Sequence, residues 1–366
     1  MTTSSKPSRK SKKAKARRRK KRMLFALEIL VLFIMLGVLY VVVQSDKIEK
    51  DTAFNSGENK IEINEELEQK KEAAGDEWHM SGYKNVALFG VDSREKNLGK
   101  GTRTDTIIIA SLNEETGDIK LASVFRDTYL NIGNDTYNKA NAAYAAGGPE
   151  QAIQMLNTNL DLDITDYATV DFTALMDTID ALGGIPIDIQ SDEIEHLNNY
   201  QICMAEQIGK GYTAVTNTGV QTLNGMQATA YCRIRYTAGD DFKRAERQRT
   251  VLMEVAKKAK TANVGTLNNI INEVFPKIKT SFSTAEMISY AADATKYTVV
   301  DNTGFPMERV TGKMGKAGSS VIANDLVKNV TDLHSFLFGA SDYVPTSTVQ
   351  TVSDKVASDK ATYLGN

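Results

Sequence analysis

The chain has 366 residues, of which 42% are hydrophobic and 25% charged, with 44 Lys and Arg against 46 Asp and Glu. Twelve of the basic residues lie within Met1–Arg22, which leaves 32 basic against 46 acidic residues, a net charge of −14, for the rest. An acidic remainder argues against non-specific nucleic-acid binding, so no nucleic-acid partner is expected.

The N-terminal end predicts a membrane anchor. The basic segment Met1–Arg22 contains no acidic residue, and an apolar run follows over Met23–Gln44, interrupted only by Glu28. Its length matches the hydrocarbon core of a bilayer, and the basic flank predicts a cytoplasmic tail and an extracellular remainder of a single-pass cell-membrane protein. A cleaved signal peptide is the rival interpretation. The run is too long for one, and Val43–Asp46 offers no small-x-small cleavage site.

The next segment, 45–80, is charged and poor in large apolar residues, which predicts an extracellular spacer with a short helix around Glu65–Ala74. A globular domain is then expected over 81–342. Its first apolar runs predict strands at Val86–Val91, Thr106–Leu112 and Ile119–Val124. The turn at Glu115–Asp118 predicts that the last two strands form an antiparallel hairpin.

The rest of the domain mixes helices with strands. Helices are predicted at Lys139–Ala146, from Pro149 through Leu160, and at Phe172–Leu182, Phe242–Lys260, Thr284–Thr295 and Asp325–Phe338. Strands are predicted at Ile185–Ile189 and Ala228–Tyr236. We therefore expect an α/β domain, a three-layer α-β-α sandwich around a mixed central sheet, preceded by one transmembrane helix. Residues 343–366 are rich in Ser, Thr, Val and Asp and predict a flexible tail.

Two aspartates flank the first two predicted strands. Asp92 follows the first strand and Asp105 precedes the second. If these strands are neighbours, both carboxylates lie at one edge of the sheet, joined by the polar loop Ser93–Thr104, a candidate lid. Two carboxylates with open positions suit Mg²⁺ or Mn²⁺. The alternative is a pair of turn aspartates that cap strand ends, and this pair alone favours that simpler interpretation.

Arg126 stands at the C-terminal end of the third strand, where α/β proteins bind ligands, and Asp127 follows it. An exposed arginine paired with Asp127 is the alternative. Arg233 and Arg235 share one face of the predicted strand Ala228–Tyr236. Two arginines so placed repel each other unless an anion or carboxylates lie between them.

The helix predicted from Phe242 carries a mixed stripe. Arg244, Arg247 and Gln248 lie on one surface, and the same stripe continues as the apolar residues of Val251–Val255. A stripe that begins cationic and becomes buried predicts that the arginines point into a cleft. Either Asp240 or Asp241 can cap this helix. The alternative is a structural Arg–Asp network.

Several of these segments together resemble the LytR–CpsA–Psr family. They occur in the family's order over about Asn85 to Leu252, and the basic tail with a single anchor also fits. The segments are Gly90–Arg94, Arg103–Thr106, Val124–Thr128, Asn141–Gly148, and Leu223–Ala228 through to Arg244–Gln248. Several ordered motifs are far more specific than any one of them.

The resemblance implies a membrane-anchored phosphotransferase that moves a glycopolymer, such as teichoic acid or capsule, from undecaprenyl pyrophosphate to peptidoglycan through a phosphodiester. It implies that Asp92 and Asp105 bind magnesium and that Asp241 orients arginines. The side chains implied to hold the pyrophosphate are Arg103, Arg126, Arg233, Arg235, Arg244 and Gln248, with Arg94 and Arg247 as further candidates.

Other questions stay open at this stage. The acceptor hydroxyl needs a base, for which Asp127 and Asp105 are both candidates. A prenyl chain needs an apolar pocket beside the arginines, and three predicted helices could line it, although their apolar residues are first of all ordinary core. These residues are Ile153, Leu156 and Leu160, then Leu175 and Ile179, then Val251, Leu252 and Val255. A non-catalytic sensor of polyprenyl phosphates and a simple lipid pyrophosphatase are the alternative functions. Cys203 and Cys232 have no zinc spacing; they could form one disulfide, although a buried structural thiol is the default for Cys232.

Overall fold

Seven strands form one mixed sheet in the computed structural model, which describes residues 49–50, 54, 61–91, 98–235, 237 and 239–365. These residues all belong to one unit that runs from Ile48 to Asn366. The strands are β1 Glu49–Lys50, β2 Tyr83–Val91, β3 Thr104–Asn113, β4 Asp118–Val124, β5 Tyr129–Asn131, β6 Tyr137–Lys139, β7 Asp166–Asp171, β8 Ile185–Ile189, β9 Gly219–Leu223, β10 Ile278–Thr280, β11 Thr298–Phe305, β12 Arg309–Met314 and β13 Gly318–Ala323. The α-helices are α1 Glu65–Ala74, α2 Asn141–Leu160, α3 Phe172–Ala181, α4 Ile194–Ile208, α5 Gly225–Tyr231, α6 Asp240–Lys260, α7 Val264–Glu273, α8 Thr284–Asp293, α9 Leu326–Phe338 and α10 Ser347–Leu364.

The central sheet has the strand order β1-β10-β7-β2-β3-β4-β11. The pairs β2/β3, β3/β4 and β7/β10 are antiparallel, and the pairs β1/β10, β2/β7 and β4/β11 are parallel. The predicted hairpin between Thr106–Leu112 and Ile119–Val124 is thus confirmed. So are the mixed α/β fold and the mixed central sheet.

The two faces of β2 meet different surroundings, as the alternation of side chains along a strand requires. Ala87, Phe89 and Val91 lie in the main hydrophobic core, which also contains apolar residues of α2, α9 and α10. Leu88 and Gly90, on the other face, line a cavity with residues of α3 and α6. The sheet therefore has a filled face and a face with space for a ligand.

A second hydrophobic core lies beside the sheet. It is built from α3, α4, α5 and the separate two-stranded sheet β8/β9, with Val251 from α6. The predicted strand Ile185–Ile189 is therefore confirmed as a strand, β8, but it pairs with β9 and not within the central sheet.

The predicted strand over Ala228–Tyr236 is wrong. Asn224 and Gln227 form a capping box that starts α5, and Gly225 lies so close to the Met176 carbonyl that a Cβ would stand 2.2 Å from it. Asn-x-x-Gln is a helix-start signal in the sequence, and it outweighs the strand-like apolar residues that follow. Arg233 and Arg235 consequently lie after α5 in a turn and a connecting segment, not on one strand face.

The predicted flexible tail is also wrong, because Ser347–Leu364 forms α10. The Thr346 side chain accepts a hydrogen bond from Val349 N at the helix start, and Val349, Val352 and Val356 are buried against the main core. These valines recur at the spacing of one helix face, a pattern that the surrounding Ser, Thr and Asp residues obscure.

The spacer and the candidate lid are more ordered than predicted where they are described. α1 matches the helix expected at Glu65–Ala74, but Leu67, Trp78 and Met80 are buried in the main core. In the loop before β3, Leu98 is buried and its carbonyl accepts a hydrogen bond from Tyr144 Oη at 2.5 Å. Isolated large apolar side chains therefore fix segments whose composition is otherwise polar.

The predicted anchor, Met23–Gln44, lies outside the described residues. Within the described ranges, none of the helices combines the length and the apolar character that a bilayer span requires.

Candidate active site

Charged side chains from three parts of the chain meet where β3 begins and β4 ends. Asp105 is the second residue of β3, Arg126 and Asp127 follow β4, and Asp241 and Arg244 lie in the first turns of α6. Because β3 and β4 are antiparallel neighbours, the start of one strand lies beside the end of the other. The distances that follow show that side chains of these distant segments lie close together.

Arg126 is surrounded by three carboxylates. Its Nη1 donates a hydrogen bond to Asp105 Oδ1, its Nε lies 3.5 Å from Asp127 Oδ2, and its Nη2 lies 3.7 Å from Asp241 Oδ2. Burial alone would lower the pKa of Arg126, but the charges of Asp105, Asp241 and Asp127 raise it. Arg126 is therefore a fixed cation and not the exposed arginine of the alternative interpretation.

Two further arginines lie on the same carboxylates. Arg235 Nη2 is 3.7 Å from Asp105 Oδ1, and Arg235 Nε is 3.7 Å from Asp241 Oδ1. Arg244 Nη1 lies 3.3 Å from Asp241 Oδ1, and Arg244 Nη2 donates a long hydrogen bond of 3.5 Å to the Asp105 carbonyl. Three guanidinium groups thus share two aspartates.

These arginines have unused hydrogen-bond donors. Among the described residues, Arg126 Nε, Arg244 Nε and Nη1, and the acceptor Asp241 Oδ1 are buried without a hydrogen-bond partner. The Arg126–Asp127 and Arg244–Asp241 contacts, at 3.5 and 3.3 Å, are ion pairs that lack hydrogen-bond geometry. Arg244 is 4% exposed, and burial, together with the charge of Arg126, lowers the pKa of its guanidinium to about 10. Buried cationic donors without acceptors are costly, so this arrangement favours a bound anion.

Asp127 and Asp241 form a linked pair. Burial opposes ionisation of Asp127, but a hydrogen bond from Asp241 and the charges of Arg126 and Lys139 lower its pKa. Burial raises the pKa of Asp241, and the adjacent Asp127 adds to this rise. Asp127 is therefore the more readily ionised member of the pair, while the charges of Arg244 and Arg126 partly oppose the rise in the pKa of Asp241.

The cleft around these groups adjoins the apolar cavity. The charged cleft is lined by Asp105, Arg126, Phe172, Tyr200, Cys232, Arg233, Arg235, Arg244 and Gln248. The cavity is lined chiefly by apolar residues of β2, β3, β7, α3 and α6. Phe172, Cys232 and Gln248 line both spaces, so the two lie side by side.

The cavity only partly matches the helices expected to line it. Leu175, Val251 and Leu252 do line it. The other apolar residues considered for it, Ile153, Leu156, Leu160 and Ile179, are fully buried core. The strands β2, β3 and β7 supply the remaining wall, because the small residues Gly90 and Ala168 leave space above the sheet.

Two predicted site residues, Arg103 and Arg247, do not join the cluster, and two more lie outside the described residues. Arg94 and Asp92 lie outside the described residues, although Val91 pairs with Thr104 and so places the end of β2 beside the start of β3. Arg103 is exposed and is absent from the cleft lining. Arg247 is 2% exposed, and its Nε donates to Glu193 Oε1 at 2.8 Å, so it holds α6 to the start of α4.

Arg233 does line the cleft, with its guanidinium 5.2 Å from the centre of the Phe172 ring and 5.8 Å from that of Tyr200. Sequence reasoning missed both aromatic residues and also Lys139, whose Nζ lies 3.2 Å from Asp127 Oδ1. Lys139 and Tyr200 carried no motif signal, because only the fold brings them to the cleft.

Asp105 is the described residue among the two predicted magnesium ligands. The contacts of its carboxylate with Arg126 and Arg235 are made by Oδ1. A carboxylate oxygen such as Oδ2 is the donor type that Mg²⁺ takes alongside phosphate oxygens and water. Over the described part of the chain, no three His, Cys, Asp or Glu residues form a cluster suited to a metal ion. Cys203 is exposed and Cys232 buried, and both are free thiols.

Comparison with known proteins gives consistent matches. The model of the LytR_cpsA_psr family matches residues 38–332. The polyisoprenyl-teichoic acid–peptidoglycan teichoic acid transferase TagU of Enterococcus faecalis (strain ATCC 700802 / V583) is 30% identical over 236 residues, 62% of this chain and 73% of that protein.

Two solved structures extend the comparison. The structure of TagT bound to LI-WTA has a TM-score of 0.57 and 20% identity, and covers 80% of this chain and 99% of that one. The structure of YwtF (TagT) with bound octaprenyl pyrophosphate lipid has a TM-score of 0.50 and 18% identity, and covers 85% of this chain and 98% of that one. At these identities the likeness shows the fold alone.

Proposed function

Because this chain belongs to the LytR–CpsA–Psr family, we propose that it is a membrane-anchored phosphotransferase that moves a glycopolymer from undecaprenyl pyrophosphate to peptidoglycan. The family assignment made from the sequence motifs is confirmed by the family match. The observation that carries the proposed activity is that a cleft with unsatisfied arginine donors lies directly beside an apolar cavity and shares lining residues with it.

The pyrophosphate group would lie in the charged cleft. Arg126, Arg235 and Arg244 would donate hydrogen bonds to its oxygens, and the unpartnered nitrogens of Arg126 and Arg244 are the donors most in need of an anion. Arg233 and Gln248 line the same cleft and would contact the headgroup from the cavity side. Arg103 and Arg94 belong to the loop that precedes β3, so they would contact the headgroup only if that loop lay over it.

The prenyl chain would enter the apolar cavity. Gln248 marks the boundary, since it lines both spaces, while Val251 and Leu252 lie in the cavity alone. A single ligand with a pyrophosphate head and a hydrocarbon tail would place its head in the charged cleft and its tail in the apolar cavity. YwtF (TagT), of similar fold, is known with octaprenyl pyrophosphate bound.

Magnesium is part of the proposal. Asp105 would bind it through its carboxylate oxygen Oδ2, and Asp92 would be the second protein ligand. The ion would supply neutralisation of charge on the pyrophosphate oxygens, with Mn²⁺ as a substitute. The arginines alone cannot fully offset the pyrophosphate, because Asp105, Asp127 and Asp241 already balance part of their charge.

In the reaction, the acceptor hydroxyl oxygen on peptidoglycan attacks the phosphorus that carries the glycopolymer. A new P–O bond forms, the bond to the bridging oxygen breaks, and polyprenyl monophosphate leaves. Arg126 and Arg244 would stabilise the charge that builds on the leaving phosphate. Asp127, the more readily ionised member of the carboxylate pair, would take the hydroxyl proton, while Asp241 would orient the arginines.

The predicted anchor at 23–44 would hold this site near the membrane surface, on the extracellular side. Its function would be to keep the cleft within reach of the lipid-linked donor. The identity of the glycopolymer would be set by contacts beyond the pyrophosphate.

One experiment separates the proposed activity from its alternatives. The purified full chain in detergent would be given a polyprenyl-pyrophosphate-linked glycopolymer, peptidoglycan fragments and Mg²⁺. A transferase forms polyprenyl monophosphate together with glycan-linked product. A simple pyrophosphatase releases free sugar phosphate, and a sensor binds the lipid but releases nothing. Loss of product in Asp92→Ala and Arg126→Ala, but not in the exposed α6 variant Lys257→Ala, is the expected result.

A further inference from the structure

A second groove lies on the opposite side of α6 from the cleft. Its wall is formed by the end of β4, the first turns of α6 and the connection from β11 to β12, and its volume is about 460 Å³. That volume falls within the range of about 300–1,000 Å³ typical of ligand pockets. On α6, Asp241, Arg244 and Gln248 line the cleft side, whereas Phe242, Glu246 and Arg249 line the groove.

Arg249 is a buried cation in this groove with an unused donor. It is 7% exposed, and its Nε donates to Asn302 Oδ1 at 2.7 Å. Among the described residues, its buried Nη1 has no hydrogen-bond partner. A buried guanidinium with an unsatisfied N–H is costly unless a ligand supplies the acceptor.

Arg309 is a second cation, held in a fixed orientation. Its guanidinium carbon lies 4.0 Å from the centre of the Phe242 ring and 4.8 Å from that of the Phe125 ring. Its Nη1 donates to the carbonyls of Pro306 and Met307, at 2.9 and 3.0 Å. Three of the five guanidinium N–H donors lie on its other two nitrogens, on a group already immobilised by these contacts.

The charge balance of the groove is positive. Its cations are Lys243, Arg249 and Arg309, and its one acidic lining residue, Glu246, is paired with Lys243 at 2.9 and 3.1 Å. Among the described contacts neither arginine forms an ion pair with Glu246, although the charge of Glu246 partly opposes the lowering of the Arg249 pKa by burial. The sequence beyond Arg22 nevertheless has a net charge of −14. An anion is the ligand that this surface favours.

The groove also lies next to the reaction centre. Phe125 lines the groove, and its chain neighbour Arg126 lines the cleft. Gly304 leaves room for the Phe125 ring at this position, because a Cβ on residue 304 would stand 2.5 Å from that ring. A polymer bound in the groove would therefore lie next to the arginines that line the cleft.

We propose that this groove is a subsite for a carboxylate- or phosphate-bearing saccharide that takes part in the transfer, an inference that rests on the proposed function. Arg249 and Arg309 form hydrogen bonds with its anionic groups, and Phe242 supports the Arg309 guanidinium. The saccharide has two sources with this shared chemistry. One is the phosphate-bearing donor glycopolymer, and the other is the acceptor glycan with its peptide-stem carboxylates.

The first test is binding, measured by calorimetry on the full chain with two probes: a polyglycerol-phosphate oligomer and a disaccharide muropeptide. We expect at least one probe to bind wild-type protein, and Arg309→Gln to weaken it by about tenfold, the size of one charge-assisted hydrogen bond. Arg249→Gln should act likewise, and Arg309→Lys should be intermediate. Lys257→Gln removes an exposed cation from the far end of α6 and should change nothing.

The second test assigns the source. In the transfer assay, a raised KM for muropeptide at unchanged kcat places the acceptor in the groove. A raised KM for long lipid-linked donors, but not for a donor with one sugar, places the glycopolymer there. The proposal is overturned if neither probe binds wild type, or if neither arginine variant changes binding. Binding that depends on both arginines, in a protein without transferase activity, would refute the proposed function and leave the subsite standing.

Discussion

Arg244 and Gln248 lie four residues apart on one face of α6, and this single helical turn carries the change from charged cleft to apolar cavity. Arg244 lines only the charged side, Gln248 lines both, and the following Val251 and Leu252 line the cavity. One rigid helix therefore sets the distance between the position of a phosphate and that of a hydrocarbon chain.

Arg126 is expected to act in catalysis more than in folding. Arg126→Ala should reduce kcat for glycopolymer transfer by about 10²–10³, the loss typical of removing one preorganised donor to a developing charge. Arg126→Lys should restore only part of the lost kcat. A lysine ammonium is a point charge and cannot replace the planar guanidinium group that contacts three carboxylates. Single-turnover assays on the purified full chain would measure both, and an unchanged kcat in Arg126→Ala would remove this residue from the mechanism.

Filling the cavity should weaken binding of the lipid tail and spare the headgroup. Ala168 pairs with Leu88 in the sheet and lines the cavity, so Ala168→Phe places a ring in the path of a prenyl chain. Affinity for a long-chain polyprenyl pyrophosphate should fall by about tenfold or more, since each buried CH₂ contributes about 0.8 kcal/mol. Affinity for inorganic pyrophosphate should stay the same. Ala168→Gly, which adds no volume, is the matched control for both ligands.

Arg247 should prove structural. Arg247 and Glu193 are 2% and 4% exposed at their side chains, and Arg247 also donates to the Ile234 carbonyl and to Thr237 Oγ1. Arg247→Met should lower the free energy of unfolding by about 3–5 kcal/mol, because it leaves the Glu193 carboxylate buried without a partner. Lys243→Met breaks an exposed pair with Glu246 and should cost under about 1 kcal/mol. Full stability in Arg247→Met combined with weaker lipid binding would instead place Arg247 in the headgroup site.

Acid should destabilise the fold through a buried histidine pair. His334 Nε2 lies 2.9 Å from the Leu160 carbonyl and its Nδ1 lies 2.9 Å from His79 Nε2. Burial lowers the pKa of His334 to about 3 and that of His79 to about 4. Below about pH 6.5 the two histidines therefore bind protons in the unfolded chain but not in the folded one. The free energy of unfolding consequently falls as the pH drops from about 6.5 toward the two lowered pKa values.

For His334 alone this loss should reach about 2 kcal/mol at pH 5, with a smaller share from the partly exposed His79. Urea unfolding at pH 7.5 and pH 5 would measure it. His334→Asn should be less stable at pH 7.5 but should lose less stability between the two values. Equal slopes in both proteins would show that His334 is not the group that titrates.

Removing α10 should destabilise the main hydrophobic core, because this helix packs against it. Val349, Val352 and Val356 are each at most 3% exposed, and burying such a side chain contributes about 1.5–3 kcal/mol. A chain that ends at Pro345 should therefore have a markedly lower melting temperature by circular dichroism. A chain that ends at Leu364 keeps the whole helix and should match wild type. Equal melting temperatures for the two truncations would mean that the helix adds nothing to the core.

Local patterns in the sequence were sufficient for much of the fold. The apolar runs that become β2, β3 and β4, and the hairpin turn between the last two, depend on neighbouring residues and were predicted correctly. The segment after Asn224 was not, because strand-like apolar residues masked a capping box. The helix α10 was missed for a related reason: its few valines gain their stability only from a core that the sequence does not display.

The candidate site divides in the same way. Residue type and motif order alone identified Asp105, Arg126, Asp127, Arg235, Asp241 and Arg244 as charged groups that should meet, and the family to which the chain belongs. Which arginine lines the cleft was decided by tertiary structure. Arg244 and Arg247 are three residues apart on α6, yet only Arg247 reaches Glu193, on an element that no local pattern connects to it. Helical spacing fixes the direction of a side chain relative to its own helix, whereas the charge that it meets depends on which other elements pack there.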